Sequence, residues 1–317
     1  MDRRTDFTEL MRHMILASEK TKPMKFAFLG FLVVSSAVLS KLLIEVVKFS
    51  LDHEYCSHIL LIPFISAFLI YVNRDAITKS LSWWPGGVLL ILPAVPVFIW
   101  AIMRKSTLEP GDFLAAATFA IICVWISGFA VCFGMRAVRA AIFPLCLLVL
   151  MIPLPNFALD AATRFLQQGS TEITWWLLQA VGEPSLKEGY LIHLPKFTIF
   201  VAEECSGIRS SVALFITCLL AAHMMLKSNW RRTVFVLLTF PVALIKNGIR
   251  IATLVLLSAH VDMRFMTSSL HRDGGFIFFG LALLIMFPVL KLLQRSDARP
   301  DVSDSDHFLP GKRPVCT

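Results

Sequence analysis

The chain has 317 residues, of which 56% are apolar and only 16% are charged, with a net charge of +8. Soluble domains usually carry about 25% charged residues, and the mean hydropathy of this chain is +0.71. A soluble protein of this length cannot hide so much apolar surface from water, so lipid must surround most of the chain. The composition excludes a disordered protein, a secreted disulfide scaffold and an ordinary cytosolic enzyme.

The positive charge does not indicate nucleic-acid binding. Basic residues lie between apolar runs, and no soluble stretch combines Lys and Arg with aromatic residues as a phosphate-binding face requires. The chain has seven cysteines, an odd number, so they cannot all pair as disulfides within it. None of them forms a CxxC pair or has the spacing of a metal site. We therefore expect lipid as a partner, and neither nucleic acid, a metal nor a cofactor.

Eight apolar runs predict about eight transmembrane helices. The polar, basic residues 1–25 precede a run of about 22 residues without a small-residue cleavage site, so this run is a retained helix rather than a signal peptide. Most basic residues of the short loops fall on the side of the N-terminus, which makes both termini cytoplasmic. The runs lie at about 26–47, 57–72, 86–103, 113–133, 138–155, 207–226, 233–258 and 274–294.

One polar segment, about 156–206, interrupts this pattern and is extracytoplasmic by parity. Residues 157–181 predict an amphipathic helix with Trp175 and Trp176 suited to the membrane interface, ended by Gly182 and Pro184. The following GYLIHLPKFTIFVAEE is rich in β-branched and aromatic residues, which is typical of a short β-hairpin. The predicted fold is an all-α polytopic membrane protein with this one outer segment.

The predicted domains follow from the same runs. Residues 1–25 form a cytoplasmic tail, residues 26–294 form a single transmembrane domain, and residues 295–317 form a disordered cytoplasmic tail.

The first cluster of candidate catalytic residues lies at the start of the sixth span and is Glu203-Glu204-Cys205-Ser206-Gly207-Ile208-Arg209-Ser210. In the first turn of a helix, Cys205 would lie at the positive end of the macrodipole, which favours the thiolate. Arg209, four residues later, would share a helix face with it. The alternative is that Cys205 is a small residue at a helix start.

The second cluster is Lys246-Asn247-Gly248-Ile249-Arg250, inside the seventh span. Each charge near the bilayer centre costs about 2.5–3.5 kcal/mol, so two of them indicate a polar interior. Asn247 and Arg250 share a helix face, in the outer part of the span. The alternative is a set of hydrogen bonds that holds the helices together.

The third cluster is Leu270-His271-Arg272-Asp273-Gly274-Gly275, before the eighth span. His271 is a candidate acid and base near neutral pH, although a solvated loop histidine has the same appearance. His58 lies in an outer loop beside Tyr55 and Ser57. A Cys, an Arg and a His thus converge on the outer face, and thiol acyl transfer needs these three groups.

These motifs together resemble the exosortase/archaeosortase family of membrane transpeptidases. ECSGIRSS (204–211) is similar to the nucleophile motif, PVALIKNGIRI (241–251) to the Asn-and-Arg motif, and LHRDGG (270–275) to the histidine motif. EYCSHILLIP (54–63) and MIPLPNF (151–157) resemble weaker early signatures. The resemblance runs over about residues 50–290 in the expected order.

The resemblance implies a catalytic Cys205, Arg250 and His271 in a prokaryotic plasma membrane, open to the outside. The implied substrates are secreted proteins with a C-terminal signal made of a short Pro-containing motif, a transmembrane helix and a basic cluster. Cys205 would form a thioester and pass the substrate to an unknown cell-surface acceptor. We expect Arg209, Asn247, Glu204 and His58 to contact the substrate.

Two features depart from the family pattern, and two other functions remain open. Lys246 is not expected in the second motif, and a disulfide between Cys56 and Cys205 would silence the nucleophile. A non-enzymatic transporter or polysaccharide-export component would explain Lys246, Asn247 and Arg250 as a solute pathway, although no internal repeat is visible. A thiol protease that only hydrolyses its substrate would use the same three residues.

Overall fold

The computed structural model describes residues 23–78, 82–264 and 275–297, and within these ranges the chain is mostly helical. This confirms the predicted all-α polytopic fold. The helices are α1 Pro23–Val38, α2 Ser40–Asp52, α3 Ile62–Val72, α4 Arg74–Thr78, α5 Ala94–Met103, α6 Pro110–Phe133, α7 Met135–Ala140, α8 Ile142–Leu147, α9 Asn156–Ala180, α10 Ile208–Met225, α11 Asn229–Leu237, α12 Thr239–His260 and α13 Gly275–Asp297. Short 3-10 helices cover Glu54–Leu60, Pro85–Ile91, Leu148–Met151 and Glu203–Ser206.

Six described segments are long and apolar enough to cross a membrane, and two bent helix pairs raise the number to eight if each pair is one span. The predicted count of eight agrees with the upper value. The six are Glu54–Val72, Pro85–Met103, Pro110–Phe133, Ile208–Met225, Asn229–His260 and Gly275–Ser296.

The two bent pairs differ from the straight spans that the apolar runs predict. Within the run at 26–47, α1 and α2 meet at 76°. In the run at 138–155, the helical segment ends at Met151, before the end of the run. There the chain bends, and Ile142–Met151 meets α9 at 89°. Pro153 and Pro155 lie at this corner, where they lack the N–H groups that would continue the helix.

The described chain divides into two compact units between Ala161 and Ala162, so that α9 begins in the first unit and continues in the second. In the first unit, α6 is mostly buried and packs against α2, α5 and the 3-10 helix Pro85–Ile91. Ser127 of α6 donates a hydrogen bond to the Gly87 carbonyl at 3.0 Å. The domain boundaries from the sequence stay a prediction.

In the second unit, α10, α11, α12 and α13 pack on one another around a shared apolar core. Its fully buried members include Leu214, Phe235, Ala282 and Met286. No functional side chain from the three motifs belongs to this core among the described residues, so it serves as the scaffold on which the site is built.

A three-stranded antiparallel sheet of order β1-β2-β3 follows α9: β1 Leu186–Glu188, β2 Leu191–His193 and β3 Thr198–Phe200. Strands β2 and β3 form the predicted hairpin, with Ile192 opposite Ile199. Strand β1 is an addition that the sequence interpretation did not contain. The sheet packs its buried side chains against Leu178 of α9 and Val255 of α12.

Candidate active site

Cys205 lies in a short turn ahead of α10. Residues Glu203–Ser206 form one 3-10 turn, in which the Cys205 N–H donates to the Ala202 carbonyl at 3.0 Å. Gly207 then adopts a φ of +73°, and α10 begins only at Ile208. The predicted position of Cys205 in the first turn of a helix is therefore wrong, because the left-handed Gly207 separates the two elements.

The backbone at Cys205 is held by Asn247 of α12. The Asn247 side chain is only 1% exposed, and its Nδ2 donates to the Cys205 carbonyl at 2.8 Å and to Ser170 Oγ of α9 at 2.9 Å. A side-chain amide has two donor hydrogens, so both are used inside the protein. Asn247 thus joins three elements at the point where the cysteine turn meets the helices.

Gly207 is required at this point for two reasons. Its φ of +73° is a conformation that residues with a Cβ rarely adopt. In addition, a Cβ there would lie 2.6 Å from Asn247 Oδ1, well inside contact distance. The glycine therefore allows both the sharp turn after Cys205 and the close approach of Asn247.

Arg250 follows Asn247 on α12, and it lines one cavity together with Cys205. The cavity has a volume of about 60 Å³, and both side chains are partly exposed. The structure thus brings together two of the three residues predicted to act in catalysis. The remaining walls of the cavity are aliphatic or aromatic and come from β3, the residue after it and α12: Ile199, Phe200, Val201, Ile251, Leu254 and Val255.

Lys246 is 1% exposed, although it carries an amino group within a candidate membrane span. Its Nζ donates to Ser210 Oγ on α10, and Ser210 Oγ in turn donates to the Gly207 carbonyl at 3.0 Å. The lysine that the family pattern does not explain is therefore part of the network that fixes the turn after Cys205.

The sequence interpretation missed the contribution of α9. Four polar residues of this helix are at most 3% exposed, and they recur at the spacing of one helical face: Gln167, Ser170, Thr171 and Thr174. Gln167 Nε2 donates to the Val201 carbonyl at 2.6 Å, and Thr174 Oγ1 donates to the Gly248 carbonyl at 3.3 Å. This polar stripe was visible in the sequence as a pattern of period 3.6.

The other predicted site residues have different positions. Arg209 is exposed on α10, and Gly207 prevents it from sharing a helix face with Cys205, contrary to the prediction. His58 is partly buried in the 3-10 helix Glu54–Leu60 of the first unit. His271 and the side chain of Glu204 lie outside the described residues, so their roles stay predictions.

Two further points concern the chemistry available to the site. Cys56, which is 1% exposed, and Cys205 are both thiols rather than halves of a disulfide. In the described part of the chain, no group of three or more His, Cys, Asp or Glu residues has the arrangement of a metal site. The cavity therefore offers a thiol and a guanidinium, which are a nucleophile and a cation able to stabilise an oxyanion.

Comparison with known proteins gives one match. A family model described as transmembrane exosortase matches residues 50–288, which is well over half of the chain. The match contains Cys205, Asn247, Arg250 and His271. Neither a curated protein nor a solved structure matches this chain.

Proposed function

Since this chain belongs to the transmembrane exosortase family, we propose that it is a membrane cysteine transpeptidase that processes secreted proteins at a C-terminal sorting signal. The signal would combine a short Pro-containing motif, a transmembrane helix and a basic cluster. The acceptor is an amine or another nucleophile at the cell surface. The enzyme acts on the outer side of a prokaryotic plasma membrane, where secreted substrates arrive.

In the proposed first step, the Cys205 thiolate attacks the carbonyl carbon of the scissile peptide bond. The negative charge that develops on the carbonyl oxygen faces the Arg250 guanidinium, which stabilises it. The C–N bond then breaks, His271 gives a proton to the departing amine, and an acyl thioester remains on Cys205.

In the second step, His271 takes a proton from the acceptor, which attacks the thioester carbon. The C–S bond breaks and the Cys205 thiolate is restored. If water is the acceptor, the same residues make the protein a thiol protease, so only the identity of the second nucleophile separates transfer from hydrolysis.

One observation carries this proposal: Cys205 and Arg250, 45 positions apart in the sequence, line the same cavity. Asn247 secures this arrangement, because it binds the Cys205 carbonyl and lies one turn before Arg250 on α12. The polar donors of Lys246 and Asn247 are directed at protein groups. This use of their donors favours the enzyme over the transporter reading, in which they would line a solute pathway.

The experiment that tests the proposal uses secreted reporters with a C-terminal helix and basic cluster, in which the six residues before the helix are randomised. Wild-type protein should release the reporter from its anchor. Cys205→Ala should reduce release by more than about 1,000-fold, as expected for loss of a covalent nucleophile.

Cys146→Ala is the matched control, since Cys146 is an exposed cysteine of the other compact unit. It should leave processing unchanged. Equal processing by wild type and Cys205→Ala would refute the cysteine mechanism. Mass spectrometry of the new C-terminus of the processed reporter separates transfer, which adds the acceptor there, from hydrolysis, which leaves a carboxylate.

A further inference from the structure

The cavity at Cys205 is shaped for a small side chain. Its volume is about 60 Å³, which is smaller than the cavity of about 150 Å³ in another protein that binds benzene. Apart from Cys205 and Arg250, its lining is apolar. An occupant that reaches the thiol therefore combines a small aliphatic group with a polar atom for the guanidinium.

One wall of this cavity is strand β3, which lies at the edge of the sheet. The Val201 N–H donates to the Tyr190 carbonyl at 2.9 Å, and the Leu194 N–H donates to the Phe197 carbonyl at 2.9 Å. Main-chain groups of an antiparallel strand alternate in direction. The N–H and C=O groups of Phe200 therefore point away from β2.

No strand in the described part of the chain pairs with this outer edge of β3. Phe200 is 58% exposed, so the described part of the chain does not cover this position of β3. Gln167 holds the Val201 carbonyl, which fixes the end of the strand just before the turn that carries Cys205. The outer edge of β3 thus presents main-chain hydrogen-bonding groups a few residues before the turn that carries Cys205.

We propose that the outer edge of β3 binds the recognition segment of the substrate as an added strand and that the cavity takes one small aliphatic side chain of that segment. This inference rests on the proposed cysteine chemistry. Main-chain hydrogen bonds to β3 supply affinity, and the pocket for one of the alternating side chains supplies specificity. We expect side chains up to the size of valine to be preferred over aromatic ones, because the cavity is small and its lining is mostly apolar.

A peptide accounts for these features better than a lipid chain does. An acyl chain would fill the aliphatic walls, but it has no groups for the Phe200 N–H and C=O and no carbonyl to present to Arg250 beside Cys205. A peptide in extended form supplies all three. Its scissile carbonyl reaches Cys205 while its neighbouring side chain enters the cavity.

Disulfide capture tests this binding mode directly. The full chain is purified in lipid nanodiscs and incubated, under mild reduction, with acetylated pentapeptides that carry a C-terminal cysteamine disulfide. Adducts at Cys205 are quantified by mass spectrometry, with Cys205→Ser as the blank. Peptides with Ala or Val next to the tether should be captured about 10- to 100-fold more than those with Phe, the range that a size-selective apolar pocket provides.

Backbone N-methylation of the peptides reports strand pairing without a change in the protein. Methylation at alternate positions should reduce capture about tenfold, and methylation at the positions between them should have little effect, because alternate N–H groups face β3. Phe200→Pro, which removes the outward N–H, should also reduce capture. Phe200→Ala is its matched control for strand pairing: it keeps the outward N–H and should retain capture and its alternation on N-methylation, whereas the side-chain preference is compared only in wild type because Phe200 lines the cavity.

The outcomes separate this inference from the proposed function. Capture that ignores the size of the side chain, or that shows no alternation on N-methylation, overturns the strand-binding proposal even if reporters are processed. Selective and alternating capture without any reporter processing leaves the binding site in place and refutes the transpeptidase. A lipid-binding cavity would show capture that depends on total hydrophobicity only.

Discussion

At the scale of single residues, the position of the Cys205 thiol is determined by its neighbours in the turn. Ala202 binds its amide, Asn247 binds its carbonyl, and Gly207 turns the chain into α10. Ser210, bound by Lys246, holds the Gly207 carbonyl from the other side. The backbone of the nucleophile is therefore held on several sides, and Cys205 lines the cavity.

Gly207→Ala should reduce reporter processing by about 100-fold, since a displacement of the nucleophile by about 1 Å has an effect of that size. The new methyl group would lie 2.6 Å from Asn247 Oδ1 and would push the Asn247 amide away from Cys205. The left-handed backbone adds about 1–2 kcal/mol of strain. Processing rates and thermal unfolding of the purified protein measure the two effects.

Gly182→Ala is the matched control for this change. Gly182 has a φ of +79°, and nothing lies within 4 Å of its potential Cβ, so only the backbone strain applies there. Gly182→Ala should therefore lower stability modestly and leave processing nearly intact. Equal losses in the two variants would contradict a special role for the contact between Gly207 and Asn247.

At the scale of elements, the site depends on how closely α9 and α12 approach each other. Both helices have a glycine at the contact: a Cβ at Gly169 would lie 2.7 Å from Leu244 Cδ2, and one at Gly248 would lie 2.8 Å from Ile173 Cβ. Small residues of this kind allow close helix packing within membranes. The short distance lets Ser170 reach Asn247 and lets Thr174 reach the Gly248 carbonyl.

Gly248→Ala should lower the stability of the protein by about 1–3 kcal/mol, because it overpacks this contact. It should also weaken processing, since Asn247 and Arg250 flank the same turn of α12. Removing the opposing bulk with Ile173→Ala in the same chain should restore part of both losses. Unfolding in mixed detergent micelles gives the stability.

Gly280→Ala on α13 provides the comparison, because no atom lies within 4 Å of its potential Cβ. There, alanine should stabilise the helix by up to about 1 kcal/mol through its higher helix propensity. If Gly248→Ala were as harmless as Gly280→Ala, the close packing of α9 on α12 would not be needed for the site.

The sequence predicted the helical elements better than it predicted their junctions. Hydrophobic runs identify spans such as Pro110–Phe133, because lipid selects for long apolar segments. The left-handed turn at Gly207 was not predictable from helical spacing, since it depends on Asn247, 40 positions later. Likewise, the partners of Asn247 on α9 follow from tertiary packing, although the polar stripe of α9 has a visible period.

The family motifs were the more reliable guide to the site. They indicated Cys205 and Arg250, which the structure places around one cavity. They did not indicate Ser170, which accepts a hydrogen bond from the Asn247 side chain rather than contacting a substrate. They contain Ser210, but not its contacts with Lys246 and the Gly207 carbonyl. Strand β1 was missed because Leu186–Glu188 has two charged residues and lacks the β-branched and aromatic residues that indicated β2 and β3.

At the scale of the whole molecule, the distribution of basic residues predicts which side of the membrane the site faces. The turn of Cys205 precedes α10, the loop after α10 carries Lys227, and the start of α11 carries Arg231 and Arg232. Basic residues favour the cytoplasm. This rule predicts that the opposite end of α10, with Cys205, is on the outside.

This topology predicts one-sided labelling by a membrane-impermeant thiol reagent. In intact cells, a chain whose only cysteine is Cys205 should react, and a small methanethiosulfonate should react faster than a bulky maleimide because the cavity is narrow. With all native cysteines replaced, Thr107→Cys should label from outside and Asn229→Cys only after the cells are opened. Labelling of Asn229→Cys in intact cells would reverse the proposed orientation.

The buried Lys246 also has a consequence for the order in which the molecule is made. As an isolated span, α12 would insert with two cations, at a cost of about 5–7 kcal/mol. Ser170 of α9, the partner of Asn247, is 77 positions before Asn247 in the chain. Ser210 of α10, the partner of Lys246, is 36 positions before Lys246. Both partners precede α12 in the chain, so α9 and α10 leave the ribosome before α12 does. We expect α12 to leave the translocon beside the polar side chains of α9 and α10 rather than into lipid alone.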